Sequence, residues 1–301
     1  MTDTELHTQG ISEWVTTRDG RRLHAKVLRR PTYFAGTSGP TVVFEADAAG
    51  NRVSWARVQP IVAVLMRAIV YDRSGLGRSA PDPADRSLDR MAEDLNEVLD
   101  HFGPGPFILV GHGTGGPIVR LAAARKPQRI TGIVLVDATD EAAEVVFDPR
   151  LRRVERVFAG VAGVLARLRL LALVFRWQWR GLPTDVRGEL KREGFTPSVV
   201  RTRRQQSRTY FDELATWRTA PPDLGSIPIT AISGVRGGNG IYATLRAETN
   251  SAHAHRAARS PRGRHVIAER SGHEIPLTEW FLIAREIHKV FEDEIRRRGR
   301  T

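Results

Sequence analysis

A glycine-rich turn carries the strongest chemical signal in the sequence. Residues 107–116 read Phe-Ile-Leu-Val-Gly-His-Gly-Thr-Gly-Gly, which is a β run followed by a turn and a helical pattern. With the spacing G-x-S-x-G, such a strand–turn–helix exposes a nucleophilic serine at its tip. Here the tip residue is Gly113, which has no side chain and can neither attack a carbonyl carbon nor carry a covalent intermediate. Thr114 is a poor replacement, because His112 would then occupy a position that such a turn reserves for a small residue.

Short β runs alternate with helical stretches on both sides of this turn. Asp19-Gly20 separates two β runs and predicts a hairpin near the start of the chain. Later β runs are separated by helical patterns and lie at 41–45, 68–72, 107–110, 130–136, 227–233 and 265–268. Strands that alternate with helices predict an α/β fold with a mostly parallel central sheet covered by helices on both faces.

The alternation stops between residues 141 and 222, where we find no convincing strand. We therefore predict a helical cap inserted between two parts of an α/β core, residues 1–140 and 223–301. The cap contains an apolar stripe with helical spacing, formed by Val157, Val161, Val164, Leu165, Leu168, Leu171 and Phe175. We expect this stripe to pack on the body, with Leu165 and Leu168 lining an apolar substrate pocket. A helix lying on a membrane surface is the alternative.

Three motifs in this order resemble those of the α/β-hydrolase superfamily, in particular its capped epoxide-hydrolase and esterase branch. They are the turn around Gly113, the stretch Asp72-Arg-Ser-Gly-Leu-Gly-Arg-Ser79, and Ser271-Gly-His273 after the last β run. The resemblance extends over nearly the whole chain, although each motif alone is weak. It implies the α/β-hydrolase fold, with a capped, cofactor-free site.

The resemblance also implies the partners of the missing nucleophile. The family's catalytic base is a histidine just beyond the final strand, and His273 fits that position. In this family the acid that orients the histidine can follow the strand before the cap, and Asp137 occupies that position. Asp140 is the second candidate for this acid. The alternative for Asp137 is a structural role, in which it only caps the next turn. His112 is expected to pack beside the turn, at the edge of the substrate pocket.

The family's oxyanion site would use the backbone N–H groups of Thr114 and Ala48. The loop that supplies Ala48 also departs from the family, because Asp47 takes the place of a glycine. As an anion, Asp47 would oppose a developing negative charge, whereas together with His273 it could act as a general acid or base. An Asp47 that points to solvent or caps the helix beginning near Asn51 is an equal alternative.

Composition excludes several other classes of site. The chain has no cysteine, which excludes disulfides, thiolate metal sites and a cysteine nucleophile. His253 and His255 are two residues apart on a predicted helix and point to different faces, so we expect no metal site. The Gly75–Ala80 loop runs into Pro81 instead of opening a helix, which argues against a dinucleotide cradle. We expect no cofactor.

The net charge of +12 comes from 46 Lys and Arg against 34 Asp and Glu, but no nucleic-acid-reading motif accompanies it. We expect no nucleic-acid partner. The polar N-terminal residues contain no signal-peptide core, and arginines interrupt the most apolar stretch. These observations predict a cytoplasmic protein without stable membrane insertion, and a homo-oligomer is compatible with the sequence.

Three functions follow from the residues. The first is an enzyme that acts on a small, largely apolar molecule by non-covalent acid/base chemistry, as a lyase, isomerase or cyclase or by activating water, with His273, Asp137 and Asp47 as catalytic residues. The second is a serine esterase or lactonase whose nucleophile has been replaced by Gly113. The third is a protein that binds a small ligand without chemistry.

Overall fold

Eight strands form one sheet within the described parts of the chain. The computed structural model describes residues 7–29, 39–237 and 241–298. The strands lie in the order β1-β2-β4-β3-β5-β6-β7-β8. Their bounds are β1 Ile11–Thr16, β2 Arg22–Leu28, β3 Thr41–Glu45, β4 Ala68–Tyr71, β5 Phe107–His112, β6 Ile130–Val136, β7 Ile229–Gly234 and β8 Arg264–Ala268. The pairs β1–β2 and β2–β4 are antiparallel and the other pairs are parallel, which confirms the predicted mostly parallel sheet.

Helices cover both faces of the sheet. They are α1 Gln59–Ala63, α2 Leu88–Phe102, α3 Gly115–Arg125, α4 Pro149–Arg167, α5 Leu171–Val174, α6 Thr184–Glu193, α7 Pro197–Thr216, α8 Ile241–Ala258, α9 Ile275–Thr278 and α10 Trp280–Arg298. One apolar core joins the sheet to α2, α3 and the end of α7, and a second joins its other face to α1 and α10. Because β5 lies between the two cores, it is buried along its whole length.

The observed elements follow the predicted ones closely, with differences after β3 and in the last helical stretch, which divides into α9 and α10 at Glu279. Asp19-Gly20 joins β1 and β2 as a hairpin, and Gly20 has a φ of +83°. The helix expected soon after Asn51 begins as a short 3-10 turn over Arg52–Trp55, and α1 starts only at Gln59. The Asn51 side chain accepts a hydrogen bond from the Val53 amide and is the N-cap of this turn. Asp47 is therefore not needed as the N-cap residue.

Helices α4 to α7 come between β6 and β7 in the chain, where the cap was predicted. The C-terminal half of α7 belongs to the core of the body, because Tyr210, Leu214 and Trp217 are buried against α2 and α3 residues. The proposed domain bounds at residues 140 and 222 remain a prediction.

The predicted packing of the cap stripe is wrong for most of its length. Helix α4 buries small residues, namely Ala159, Ala162, Gly163 and Ala166. The larger residues of the stripe, Val157, Val161, Val164 and Leu168, are exposed. Periodicity identified one apolar face, but α4 has a second face of Ala and Gly, and this face fits closely against α7. In the described residues, no helix is both long and apolar enough to cross a membrane.

Candidate active site

Four loops at the carboxyl edge of the sheet bring the candidate residues together. Strands β3, β5 and β6 are neighbours, and the loops that follow them carry Asp47, Gly113 and Asp137. The fourth loop follows β8 and carries His273. The Val235 amide holds that loop to the end of β7 by donating to the Ser271 carbonyl at 2.8 Å. The carboxyl edge is where open α/β sheets bind their ligands.

The turn after β5 has the geometry that the sequence predicts. Gly113 has a φ of +52°, and its amide donates to the Val136 carbonyl at 3.1 Å. Helix α3 begins two residues later at Gly115. A Cβ atom on Gly115 would lie 2.6 Å from the Ala46 carbonyl oxygen, so the loop after β3 can approach only because this residue is glycine.

The Asp47 carboxylate occupies the space that a side chain at position 113 would need. A Cβ atom on Gly113 would lie 2.1 Å from Asp47 Oδ1 and 2.5 Å from its Cγ. Asp47 Oδ2 lies 3.4 Å from His273 Nε2, and Oδ1 accepts a hydrogen bond from the Thr114 amide at 2.7 Å. The carboxylate therefore makes the contacts that a nucleophile on Gly113 would make with a histidine.

Of the two predicted oxyanion donors, the Thr114 amide is engaged by the Asp47 carboxylate. Ala48 lines the cavity above the site, and its carbonyl accepts from Arg73 at 3.0 Å. The Thr114 hydroxyl is buried and has no hydrogen-bond partner among the described residues, so no base is in place to activate it.

Asp137 forms a hydrogen bond with the second ring nitrogen of His273, Nδ1. Its Oδ2 lies 2.8 Å from His273 Nδ1, while Oδ1 accepts from the Gly234 amide at 3.2 Å and from Arg246 at 2.5 Å. Asp137 has a φ of +40°, a sparsely populated conformation that costs free energy and often marks a functional position. The reserve candidate Asp140 does not reach His273 and instead accepts from Arg256 at 2.8 Å.

The three charged groups stabilise one another. Burial favours the neutral form of His273, but hydrogen bonds to Asp137 and Asp47 outweigh it and hold the pKa of the imidazole well above its usual range. Burial also acts against ionised Asp47, yet the contact with His273 holds the pKa of this carboxyl well below its ordinary value. The pKa of Asp137 is lowered in the same way by His273 and then by Arg246. These shifts all favour an imidazolium between two carboxylates.

His112 supports this arrangement from below. Its ring stacks on that of His273 with centroids 4.6 Å apart, and its Nε2 lies 2.9 Å from the His273 carbonyl oxygen. Burial, with the nearby His273 charge, lowers the pKa of His112, so this ring is neutral and donates from Nε2. The contact fixes the backbone of the loop that carries His273.

An apolar cavity of about 390 Å³ lies between this site and the cap. Asp47, His112 and His273 contribute to its floor, and the side chains of Asp47 and His273 are 32% and 40% exposed. Its cap side is apolar and includes Phe158, Ala162, Leu171, Phe175, Phe195 and Val200.

The two leucines predicted to line the pocket do not. Leu168 is 61% exposed on the outside of the cap, because it follows the outward face of α4. Leu165 packs in a small cluster with Ala162, Leu171 and Val200 beneath the cavity wall. The alternation of large and small residues in α4 is the signal that could have identified its inner face.

Two arginines position the charged groups and were not predicted. Arg73 donates to the carbonyls of Ala46, Asp47 and Ala48, and so clamps the loop after β3. Arg246, from α8, neutralises Asp137. Arg73 stands directly after a β run in one of the quoted motifs, which could have drawn attention to it. No local pattern distinguishes Arg246. Within the described residues, no group of three or more His, Asp or Glu side chains could hold a metal ion.

Comparisons with known proteins agree with this fold. Residues 40–220 match the family described as alpha/beta hydrolase fold. The esterase Rv0045c of Mycobacterium tuberculosis is 31% identical over 249 residues, which cover 80% of this chain and 78% of that protein. The solved structure of the epoxide hydrolase CorEH without ligand superimposes with a TM-score of 0.67 at 17% identity, over 94% of this chain and 98% of CorEH.

Other similarities are confined to part of the chain. YqjL of Bacillus subtilis is 31% identical over 116 residues, which are 38% of this chain. The chain spans 46% of the length of YqjL. This similarity therefore concerns only a segment of each protein and does not establish the activity of the whole chain.

Proposed function

Because the chain belongs to the α/β-hydrolase family, we propose that it is an enzyme in which the nucleophile of that fold has given way to an acid/base pair. Asp47 acts as the base and His273 as the acid, and Asp137 orients His273. The substrate is a small, largely apolar molecule. The observation that carries the proposal is the Asp47 carboxylate, which lies in the space of the absent side chain at Gly113 and contacts His273 Nε2.

The charge states decide which group has which role. His273 carries its proton at neutral pH because two carboxylates raise its pKa, so it can donate a proton but cannot accept one. Asp47 is ionised because its pKa is lowered, so it is the group able to accept a proton from the substrate. This is the reverse of a serine hydrolase, where the histidine begins as the base.

The short distance between the two groups completes the cycle. Asp47 removes a proton from the substrate, and His273 gives its Nε2 proton to the oxygen or other atom that gains electrons. The two groups are then a carboxylic acid and a neutral imidazole, 3.4 Å apart between Asp47 Oδ2 and His273 Nε2. Direct return of the proton from Asp47 to His273 restores the starting state. Such a cycle of proton transfers suits elimination, isomerisation, cyclisation or the activation of water.

The Thr114 amide tunes this base. A hydrogen bond to a carboxylate favours its charged form and therefore weakens it as a base. The apolar cavity acts in the opposite direction, since a carboxylate removed from water is more reactive toward a proton. A substrate that covers Asp47 completes this desolvation, because the side chain is 32% exposed without one.

Nitrobenzisoxazole ring opening is a direct test, because a single base suffices to start it. Asp47 removes the proton from the ring carbon, the nitrogen–oxygen bond breaks to form a nitrile, and the phenolate oxygen takes the electron pair and is protonated by His273 or released. We expect the wild-type protein to accelerate this reaction. Asp47→Asn should lower kcat/KM by about 100-fold, because a positioned base contributes factors of that size.

Asp212→Asn is the matched control, because Asp212 is a carboxylate near the end of α7 with its side chain 71% exposed. It should leave the rate unchanged. Equal rates for wild type, Asp47→Asn and Asp212→Asn, at unchanged folding, would contradict the role of Asp47. A burst of p-nitrophenol from p-nitrophenyl esters with the wild-type protein would reveal a covalent acyl-enzyme and contradict the proposal as a whole.

Two other functions remain as alternatives. A serine esterase or lactonase that has lost its nucleophile explains the retained turn. The position of Asp47 argues against a loss of the serine alone, because the side chain of a serine at position 113 would collide with the Asp47 carboxylate. A ligand-binding protein explains the apolar cavity, but does not use the ionised Asp47–His273 pair. In that case no turnover would be found, and His273→Ala should leave the cellular role of the protein intact.

A further inference from the structure

The outer side of the cap exposes an apolar stripe that the body does not cover. Val154, Val157, Val161, Val164 and Leu168 recur along α4 at intervals of three and four residues, so they share one face of the helix. Each is more than half exposed. We call these five residues the outer cap face. Leu173, 62% exposed, continues the apolar surface beyond the end of α4.

This exposure reverses the usual arrangement of a helix in water. Helix α4 directs alanine and glycine inward and its four valines outward. A helix that packs on a body normally buries its larger apolar residues, because they gain more from removal from water. A contiguous apolar surface of this kind marks a place where something else binds.

The charges around the outer cap face indicate the nature of that partner. Residues 149–180 contain eight arginines and one acidic residue, Glu155. Seven of these arginines are exposed. Glu155 is paired with Arg203 of α7, at 3.0 Å. An apolar helix face flanked by arginines is suited to an anionic lipid surface, where apolar side chains enter the acyl boundary and arginines meet the headgroups.

A second copy of this chain fits less well. A symmetric dimer would place the same face on both sides of the interface. The arginines of one copy would then approach those of the other, and like charges across an interface are costly.

The outer cap face is also continuous with the cavity. Phe158 follows Val157 in the chain, is 44% exposed, and at the same time lines the cavity above Asp47 and His273. Phe175 is its neighbour, with ring centroids 6.3 Å apart, and lines the same cavity. An apolar molecule leaving a bilayer at α4 would therefore meet the cavity wall directly.

We propose that the outer cap face docks this protein on anionic lipid surfaces, from which a lipophilic substrate reaches the cavity past Phe158. The docking itself does not depend on the proposed chemistry. Only the delivery of substrate rests on it, so vesicle binding and turnover can fail separately.

The test is binding of the full chain to vesicles of phosphatidylcholine with and without phosphatidylglycerol, measured by flotation. We expect binding only to the vesicles that contain phosphatidylglycerol. Val157→Asp combined with Val161→Asp should weaken it by at least about tenfold, because two charges would enter the apolar region. Arg167→Glu with Arg176→Glu should also weaken it, since the headgroups are anionic.

Phe281→Asp combined with Ile295→Asp is the matched control, because both residues are exposed apolar positions on α10 in the body. This variant should bind as the wild type does. Thermal unfolding of each variant shows that folding is retained, which is expected because all the substituted side chains are exposed.

Three results would overturn the proposal. The first is a wild-type protein that does not bind vesicles containing phosphatidylglycerol. The second is binding that Val157→Asp with Val161→Asp leaves unchanged, which would indicate adhesion by charge alone. The third is a dimer in analytical ultracentrifugation that this same double variant dissociates, which would identify a second copy as the partner.

Discussion

Gly113 and Asp47 are linked by the space they share at the tip of the turn. The absence of a Cβ atom at position 113 leaves room for a carboxylate from the neighbouring loop, and this carboxylate reaches both His273 and the Thr114 amide. A glycine in the nucleophile position is therefore compatible with a complete set of charged groups. The chemistry that we propose for these groups is proton transfer.

A serine at position 113 tests this linkage. Its Cβ would lie 2.1 Å from Asp47 Oδ1, so Gly113→Ser alone should displace Asp47 and abolish benzisoxazole turnover without producing an efficient esterase. Gly113→Ser combined with Asp47→Gly removes the collision and should hydrolyse p-nitrophenyl esters at least about 100-fold faster than Gly113→Ser alone. Strong ester hydrolysis by the single variant would instead favour the lost-nucleophile alternative.

The pH dependence of turnover provides a second prediction at this scale. His273 holds the pKa of Asp47 well below its ordinary value, so the wild-type rate should persist as the pH falls into the ordinary carboxyl range. In His273→Ala, burial without the compensating cation raises the pKa of Asp47, because burial disfavours the charged form. The acid limb of the kcat/KM profile should therefore move to higher pH. An acid limb at the same pH in both proteins would show that Asp47 is not the base.

At the scale of elements, loops at one edge of the sheet carry the site, and buried ion pairs hold those loops. Arg73 fixes the loop after β3 by hydrogen bonds to three consecutive carbonyls. The loop after β6 is held by Glu141, whose carboxylate accepts two hydrogen bonds of 2.7 Å from Arg120 of α3. Arg256 of α8 binds the same carboxylate, so α3 and α8 are joined through this loop.

Removal of the Glu141 charge should destabilise the fold. Glu141→Gln leaves Arg120 and Arg256 buried with fewer opposing charges, and breaking a buried pair in this way typically costs about 3 kcal/mol. Glu144→Gln is the control, because Glu144 is 68% exposed and its pair with Arg218 should contribute less than about 1 kcal/mol. Urea unfolding measures both free energies. Equal losses in the two variants would contradict the role of the buried network.

The sequence was sufficient to predict the elements and much of the site. Strands were predictable because buried parallel strands are continuous apolar runs. Asp47, Asp137 and His273 were predicted from the resemblance, which assigns roles to the loops after β3, β6 and β8. Arg246 was not predictable, because its partner Asp137 lies more than a hundred residues away in the chain and no local pattern records the contact. The close approach of Asp47 to Gly113 was also not predictable, since it depends on the distance between two loops in the folded chain.

For the whole molecule, more than half of the net charge of +12 lies in one segment of the cap. The cap segment 149–180 alone contains eight arginines against Glu155, and the same segment carries the outer cap face. The body is different, because its helices bury their larger apolar residues in the two cores of the sheet. We therefore expect the cap to contribute less to stability than the body does.

This difference should be visible in hydrogen exchange. Helix α4 buries mainly Ala and Gly, whereas β5 is enclosed by β3, β6 and helices on both faces. Amides of α4 should exchange at least about tenfold faster than those of β5, because local opening of α4 exposes less apolar surface. Mass spectrometry of peptides from the two segments measures both rates. Equal protection would show that the cap opens only together with the body.

The charge state of His273 tests the central claim most directly, because the proposed chemistry needs an imidazolium beside an ionised Asp47. Nitrogen-edited NMR of the imidazole across a pH titration reports it without any substrate. We predict that both ring nitrogens carry protons at neutral pH, that the pKa lies well above the ordinary value of about 6.5, and that Asp47→Asn lowers it. A neutral His273 at pH 7 that titrates near its ordinary value, unaffected by Asp47→Asn, would contradict the account.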